Sequence, residues 1–282
     1  MTLTAPTFAL PRLALPRLAF PRRPLARLLA AAALATAGLL AHAPAASAQT
    51  ALSEAMQLDP EGRAVLRSEI RKYLLEHPEV IMEAVKVLED RRAEAEATEA
   101  RDLVADNAAE IFQDGYSHVA GNPDGDVTVV EFIDYNCGYC KKAHADVREL
   151  VESDPNLRYV VKEFPILGPS SMTAAKAALA SRAQQGGRLY MAFNDALMGH
   201  RGALSDEQVW SIAEDVGLDV AALKAEAETP EIKSQIDRTY ALAKKLDIQG
   251  TPTFVIGDEL VRGYAPIDHM RDVVAAARER QG

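Results

Sequence analysis

Apolar positions recur at helical spacing from about residue 59 to residue 112: Leu66, Ile70, Tyr73 and Leu74, then, past Pro78, Val80, Ile81, Ala84, Val85 and Leu88. The pattern predicts two helices that meet near Pro78, which suits a first helical turn, with Glu79 complementing the dipole there. The following stretch EDRRAEAEATEARD, residues 89–102, is charged and alanine-rich, a good helix former with no core-facing stripe until Leu103, Val104 and Ile111. Two readings remain open. Either this is a solvated helix on a globular body, or it is an extended arm whose stripe from Leu66 to Leu88 needs a partner chain.

Beyond it, AGNPDGD at 120–126 is a turn cluster, and the apolar run Val127 to Ile133 predicts a strand. LRYVVKEF, residues 157–164, predicts a second strand closed by Pro165. From Ser170 to about Leu246 the pattern is helical, in SSMTAAKAALASRAQQ, RLYMAFNDALMGH, SDEQVWSIAEDVG and IKSQIDRTYALAKKL, with Ser205 and Gln208 forming a capping box for the third. Two short strands follow, Pro252 to Ile256 and Leu260 to Arg262, turning at Gly257-Asp258, and a helix from Pro266 to Arg278 ends the pattern. Strand, helix, strand, helical insert, hairpin and helix make an α/β fold: a mixed sheet with a helical subdomain inserted in its middle.

The first 48 residues read differently. Arg12, Arg17, Arg22, Arg23 and Arg27 precede an apolar run from Leu28 to Leu40, and Ala46-Ser47-Ala48 offers a small-residue cleavage site. This predicts a signal peptide, and the run is too short to span a membrane. Arg22-Arg23 permits a twin-arginine reading, against which Pro21 and Pro24 speak, and an arginine-rich, acid-poor leader also fits a mitochondrial presequence. Removing the leader leaves residues 49–282, enough for one or two domains.

Hydrophobic residues make up 48% of the chain and charged ones 26%, an ordinary globular composition. The leader carries basic but no acidic residues, so the rest is more acidic than the overall formal charge of −10, and nucleic acid is not an expected partner.

The chain has two cysteines, Cys137 and Cys140, placed where the first strand meets a helix. Residues 49–282 can bury a core without a disulfide staple, so the pair needs another explanation. At a helix N-terminus, unpaired N–H groups and the dipole favour a thiolate on Cys137. Cys140, one turn on, is placed to attack a mixed disulfide held there. Metal is the competing reading, because Cys137, Cys140 and His144 have ligand-like spacing and two thiolates suit Cu(I). No second Cys or His cluster exists to complete a structural zinc site, so redox chemistry is favoured, with no metal and no cofactor expected.

VVEFIDYNCGYCKKAH (129–144) and GTPTFVIG (250–257), separated by the helical insert, resemble the thioredoxin superfamily and within it the DsbA-like branch, over roughly residues 115–280. YLLEHPEVIMEAVKVLE (73–89) resembles the N-terminal region of ScsC-like proteins, in which such helices can drive trimer formation. These resemblances imply a thioredoxin-like fold behind an N-terminal helical segment: 1–48 signal peptide, 49–114 oligomerisation segment, and 115–282 catalytic domain with its insert at about 168–246. They imply an exported, periplasmic protein thiol-disulfide oxidoreductase, isomerase or oxidase, that exchanges disulfides with protein substrates. A membrane redox partner and a homo-oligomer, a trimer by preference, go with it, and copper sequestration through the same thiolates is the alternative.

Residue by residue, the resemblance makes Cys137 the attacking cysteine and Cys140 the resolving one, with Gly138 and Tyr139 as the dipeptide that tunes the potential. Thr251-Pro252 becomes a cis-proline step that pairs with substrate. Glu131 becomes a buried glutamate relaying a proton for Cys140, unless the strand turns it to solvent. Gly-Tyr departs from the Pro-His of strongly oxidising DsbA, which implies a less oxidising couple, and Thr251 resembles the isomerase branch.

Overall fold

The computed structural model describes residues 59–281. The expected signal peptide lies outside them. The chain divides into two compact units, one ending at Glu76 and one running from His77 onward. In the first, α1 (Pro60–Glu76) exposes Leu66, Ile70 and Tyr73. No helix among the described residues is long and apolar enough to cross a membrane.

The second unit begins with α2 (Glu79–Asp106), a 28-residue helix whose N-terminal half exposes Ile81, Met82, Val85 and Leu88. Its far end behaves differently. Val104 is buried, and with Ile111 of α3 (Ala108–Phe112) it packs under the sheet beside Val130, Phe132 and Val160. Alanine and exposed charges, with Lys86 paired to Asp90 at the start, carry the helix across the gap between these regions.

Five strands form the sheet in the order β1-β3-β2-β4-β5: β1 (His118–Gly121), β2 (Val127–Ile133), β3 (Leu157–Glu163), β4 (Thr253–Ile256) and β5 (Glu259–Arg262). β2 and β3 run parallel, joined by α4 (Gly138–Ser153), and every other pair is antiparallel. Because β2 is covered on both faces it reads as a continuous apolar run, Val127, Val129 and Ile133 facing α4 and Val130 and Phe132 facing the other layer.

β1 replaces part of the expected turn cluster, since Ala120 and Gly121 pair with Tyr159 and Arg158. A four-residue edge strand has no local signature of its own; the pairing with β3 creates it. Gly125 lets the turn beyond lie against residues 156–158, where a Cβ would stand 2.5 Å from the Asn156 carbonyl oxygen.

The insert comprises α5 (Pro169–Ser181), α6 (Tyr190–Gly199), α7 (Asp206–Val216), α8 (Val220–Ala227) and α9 (Pro230–Lys245). The Ser205–Gln208 capping box is present at α7. Asp219 caps α8, an element the sequence pattern did not separate from its neighbours. α10 (Ile267–Gln281) packs beside α4 on the sheet.

One buried ion pair sits on the opposite layer. Lys162 in β3 is fully buried, meets the Asp114 carboxylate and donates to the Glu110 carbonyl at 2.7 Å. Burial lowers the Lys162 pKa, and Asp114 partly restores it.

Candidate active site

β2 ends in the sheet, and three residues, Asp134 to Asn136, turn the chain into α4 with Cys137 at its N-cap. The Cys137 backbone is extended (φ −77, ψ 115), so its side chain rather than its carbonyl lies over the open helix end. Its Sγ accepts the Cys140 N–H at 3.4 Å, and its thiol donates to the Thr251 carbonyl at 3.1 Å. Neither cysteine is in a disulfide in this structure.

The two sulfurs differ sharply. Hydrogen bonding from the Cys140 thiol, and then from the Thr251 side chain and the backbone of Cys140 and Tyr139, outweighs burial and lowers the Cys137 pKa to about 5. Cys140, with 0% of its surface exposed against 7% for Cys137, has its pKa pushed far up by burial, by its bond to Cys137 and by the charge of Glu131. One sulfur is therefore a thiolate at neutral pH and the other a thiol.

Glu131 points inward. It lies in β2 between Val161 of β3 and Phe254 of β4, is 2% exposed, and its Oε2 accepts the Tyr159 hydroxyl at 2.5 Å. Burial raises its pKa to about 7 against the opposing Tyr159 bond, and the charge of Cys137 adds to the rise. Across the turn the Thr251–Pro252 peptide bond is cis; Thr251 is half-buried, and the Pro252 carbonyl accepts the Gly263 N–H at 2.9 Å. Gly138 and Tyr139 are exposed in the first turn of α4, Tyr139 to 64%.

Against this geometry the family profile described as "DSBA-like thioredoxin domain" matches residues 128–275, more than half of the chain. The chain belongs to that family. A second profile, "Copper resistance protein ScsC N-terminal domain", matches residues 63–95.

Among solved structures of DSBA-like and related proteins, a thioredoxin-like oxidoreductase from Silicibacter pomeroyi is 49% identical, with a TM-score of 0.58, covering 61% of this chain and 97% of that one. Proteus mirabilis ScsC in a transitional conformation is 26% identical, with a TM-score of 0.59, covering 79% of this chain and all of that one. Disulfide bond formation protein D of Bacillus subtilis is 25% identical over 55% of this chain and 74% of its own length. The Na(+)/H(+) antiporter NhaA of Herminiimonas arsenicoxydans is 30% identical over 57% of this chain, which spans only 25% of that relative's length. The chain is thus a DSBA-like thioredoxin-domain protein by family and fold.

Several groups around the DSBA-like site had no signal in the sequence pattern. Asp134 is buried and accepts four hydrogen bonds, from Asn136 N, Ser171 Oγ, Ile166 N and Leu167 N. Glu163, also buried, accepts the hydroxyls of Tyr135 at 2.8 Å and Tyr190 at 2.6 Å, and burial raises its pKa to about 8. A carboxylate in an apolar strand is the one signal that could have marked Glu163; Glu131 is marked by the family resemblance instead.

His144, the third ligand in the metal reading, faces α6, where its Nε2 lies 3.0 Å from Asp195 Oδ1. Among the described residues no group of three or more His, Cys, Asp or Glu side chains is arranged to hold a metal ion.

Proposed function

We propose that this protein is exported and exchanges disulfides with protein substrates through Cys137 and Cys140, shuffling wrong bonds as well as introducing new ones. The asymmetry of the two sulfurs carries the reading: a thiolate at the N-cap of α4 that accepts the Cys140 backbone N–H, and a buried thiol on Cys140 itself.

In the reductive half, the Cys137 thiolate attacks one sulfur of a substrate disulfide. That S–S bond breaks, one substrate sulfur leaves as a thiolate, and a mixed disulfide forms. Glu131 takes the Cys140 proton, Cys140 attacks Cys137 Sγ, and the second substrate sulfur leaves with two electrons now on the substrate. The reverse sequence oxidises a substrate dithiol. Isomerisation is the branch in which a second substrate thiol, not Cys140, resolves the intermediate.

Substrate contact is supported on two sides. The Thr251 carbonyl faces Cys137 from the cis-proline loop, where main-chain groups can pair with an extended peptide. Beyond α3 the exposed large apolar residues are Val119, Tyr139, Ile166 and Leu167, and all but Val119 lie on the segments that flank Cys137. An apolar rim of this kind suits a partly unfolded protein.

The match at 63–95 and the exposed apolar residues of α1 and α2 support an oligomerisation segment, with a trimer as the specific reading. Residues 1–48 would direct the chain to the periplasm, where a membrane partner would keep Cys137 and Cys140 reduced for isomerisation.

The deciding experiment uses residues 49–282. Reduced protein is mixed with a scrambled multi-disulfide enzyme, and oxidised protein with the same enzyme fully reduced. Recovery of activity from the scrambled substrate supports isomerase action, and oxidation without recovery reassigns the protein as an oxidase. Stoichiometric Cu(I) binding with neither activity would overturn the reading in favour of copper sequestration.

A further inference from the structure

The turn that delivers Cys137 is held in large part from the helical insert. Asn136, the residue before the reactive cysteine, donates through Nδ2 to Ser170 Oγ at 3.0 Å and Ser171 Oγ at 3.1 Å, at the start of α5. Its Oδ1 accepts the Leu204 N–H at 2.7 Å, from the segment between α6 and α7. A backbone N–H can only donate, so the amide has one orientation that satisfies all three partners. Ser171 closes the circuit by donating to Asp134 Oδ1 at 2.7 Å, the same oxygen that accepts the Asn136 N–H at 2.8 Å.

The Leu204 segment is tied a second time. Lys141, in the first turn of α4, donates to the carbonyls of His200 at 2.8 Å and Gly202 at 2.7 Å. The Asp134 carbonyl in turn accepts the Cys137 N–H at 3.0 Å, so the network reaches the cysteine both along the chain from Asn136 and through this hydrogen bond from Asp134. None of the Asn136 side-chain partners belongs to the sheet.

We propose that Asn136 is a positioning residue through which the helical insert holds Cys137 at the N-cap of α4 and so sets the stability of its thiolate. The inference rests on the thiol-disulfide reading above. Its physical content is geometric. The Cys140 N–H reaches Cys137 Sγ at 3.4 Å, an ordinary contact to sulfur that holds only while the turn stays in place, and a drift of the turn lengthens it. A looser turn weakens every bond that favours the charged sulfur, which destabilises the reduced state relative to the disulfide. The side chain touches no sulfur, so it acts on the chemistry only through where it holds the backbone.

The test is Asn136→Ala in residues 49–282, with Ser170→Ala as a milder variant that removes one partner and leaves the Leu204 anchor. Three quantities are measured: thermal unfolding, the pKa of Cys137 from the ultraviolet absorbance of its thiolate, and the equilibrium with glutathione. Asn136→Ala is expected to raise the Cys137 pKa by about one unit and to shift the glutathione equilibrium about tenfold toward the protein disulfide. Ser170→Ala should shift both in the same direction by about threefold.

A purely structural side chain would lower the unfolding temperature and leave the sulfur alone. The proposal is therefore overturned if Asn136→Ala unfolds earlier while the titration and the equilibrium stay within about twofold of the parent. Should Asn136→Ala fail to fold, an unchanged Cys137 titration in Ser170→Ala overturns it equally. A parent that does not exchange with glutathione defeats the functional reading instead, and the titration of Cys137, which needs no redox partner, still decides the role of Asn136.

Discussion

The Tyr159 hydroxyl stands 2.5 Å from Glu131 Oε2 inside the core that also buries Cys140. A carboxyl in the middle of an apolar strand is tolerated because a neighbouring strand supplies its donor, and burial leaves it poised near neutrality, at about 7. Glu131→Gln is expected to slow resolution of a trapped mixed disulfide by at least about tenfold and to flatten its pH dependence around neutrality. Stopped-flow release of substrate across pH 5–9 checks this, and an unaltered profile would remove Glu131 from the proton path.

The same carboxyl enters the stability of the fold. Between its ordinary value of 4.5 and its folded value of about 7, the folded protein keeps a proton that the unfolded chain has released. Stability therefore falls as pH rises through that window, by on the order of 3 kcal/mol from this group. Urea unfolding should show the parent losing ground to Glu131→Gln between pH 4.5 and 7, with a constant difference above it.

Cys137 is expected to be alkylated rapidly down to about pH 5, far below the 9.0 of an ordinary thiol, because its thiolate is the stable form. Cys140→Ser should accumulate mixed disulfides with protein substrates and Cys137→Ser none, read by non-reducing gels. Equal trapping by both variants would contradict the assignment of attacking and resolving roles.

Removing residues 49–95 takes away α1 and the exposed half of α2 while keeping Val104 and Ile111 in the core. Light scattering should report a fall from an oligomer, a trimer by expectation, to a monomer. A monomeric parent would refute the arm's proposed role.

Lys162 is buried against Asp114 with the Glu110 carbonyl as its further acceptor. Lys162→Met leaves the Asp114 carboxylate without its cation and is expected to cost about 3 to 5 kcal/mol, measured by urea unfolding. Combining it with Asp114→Asn should recover part of that loss, because the uncompensated charge is gone.

Sequence by itself determined what depends on near neighbours. The cysteine spacing at a strand-to-helix junction, the Ser205–Gln208 cap, the Gly257 turn and the apolar runs of β2 and β3 are set by backbone conformation and burial within a few residues. Tertiary structure decided the rest. β1 exists because β3 pairs with it, and Glu131 faces inward because Tyr159 is there to meet it. Asp134 and Asn136 became part of the site through Ser171 and Leu204, residues 37 and 68 positions away. A polar side chain next to a cysteine has many possible partners in the unfolded chain, and only the packing of the insert against α4 chooses among them. The exposed residues of α1 and of α2 lie at the other limit: their periodicity declares a face to be covered, and the covering surface is not among the described residues.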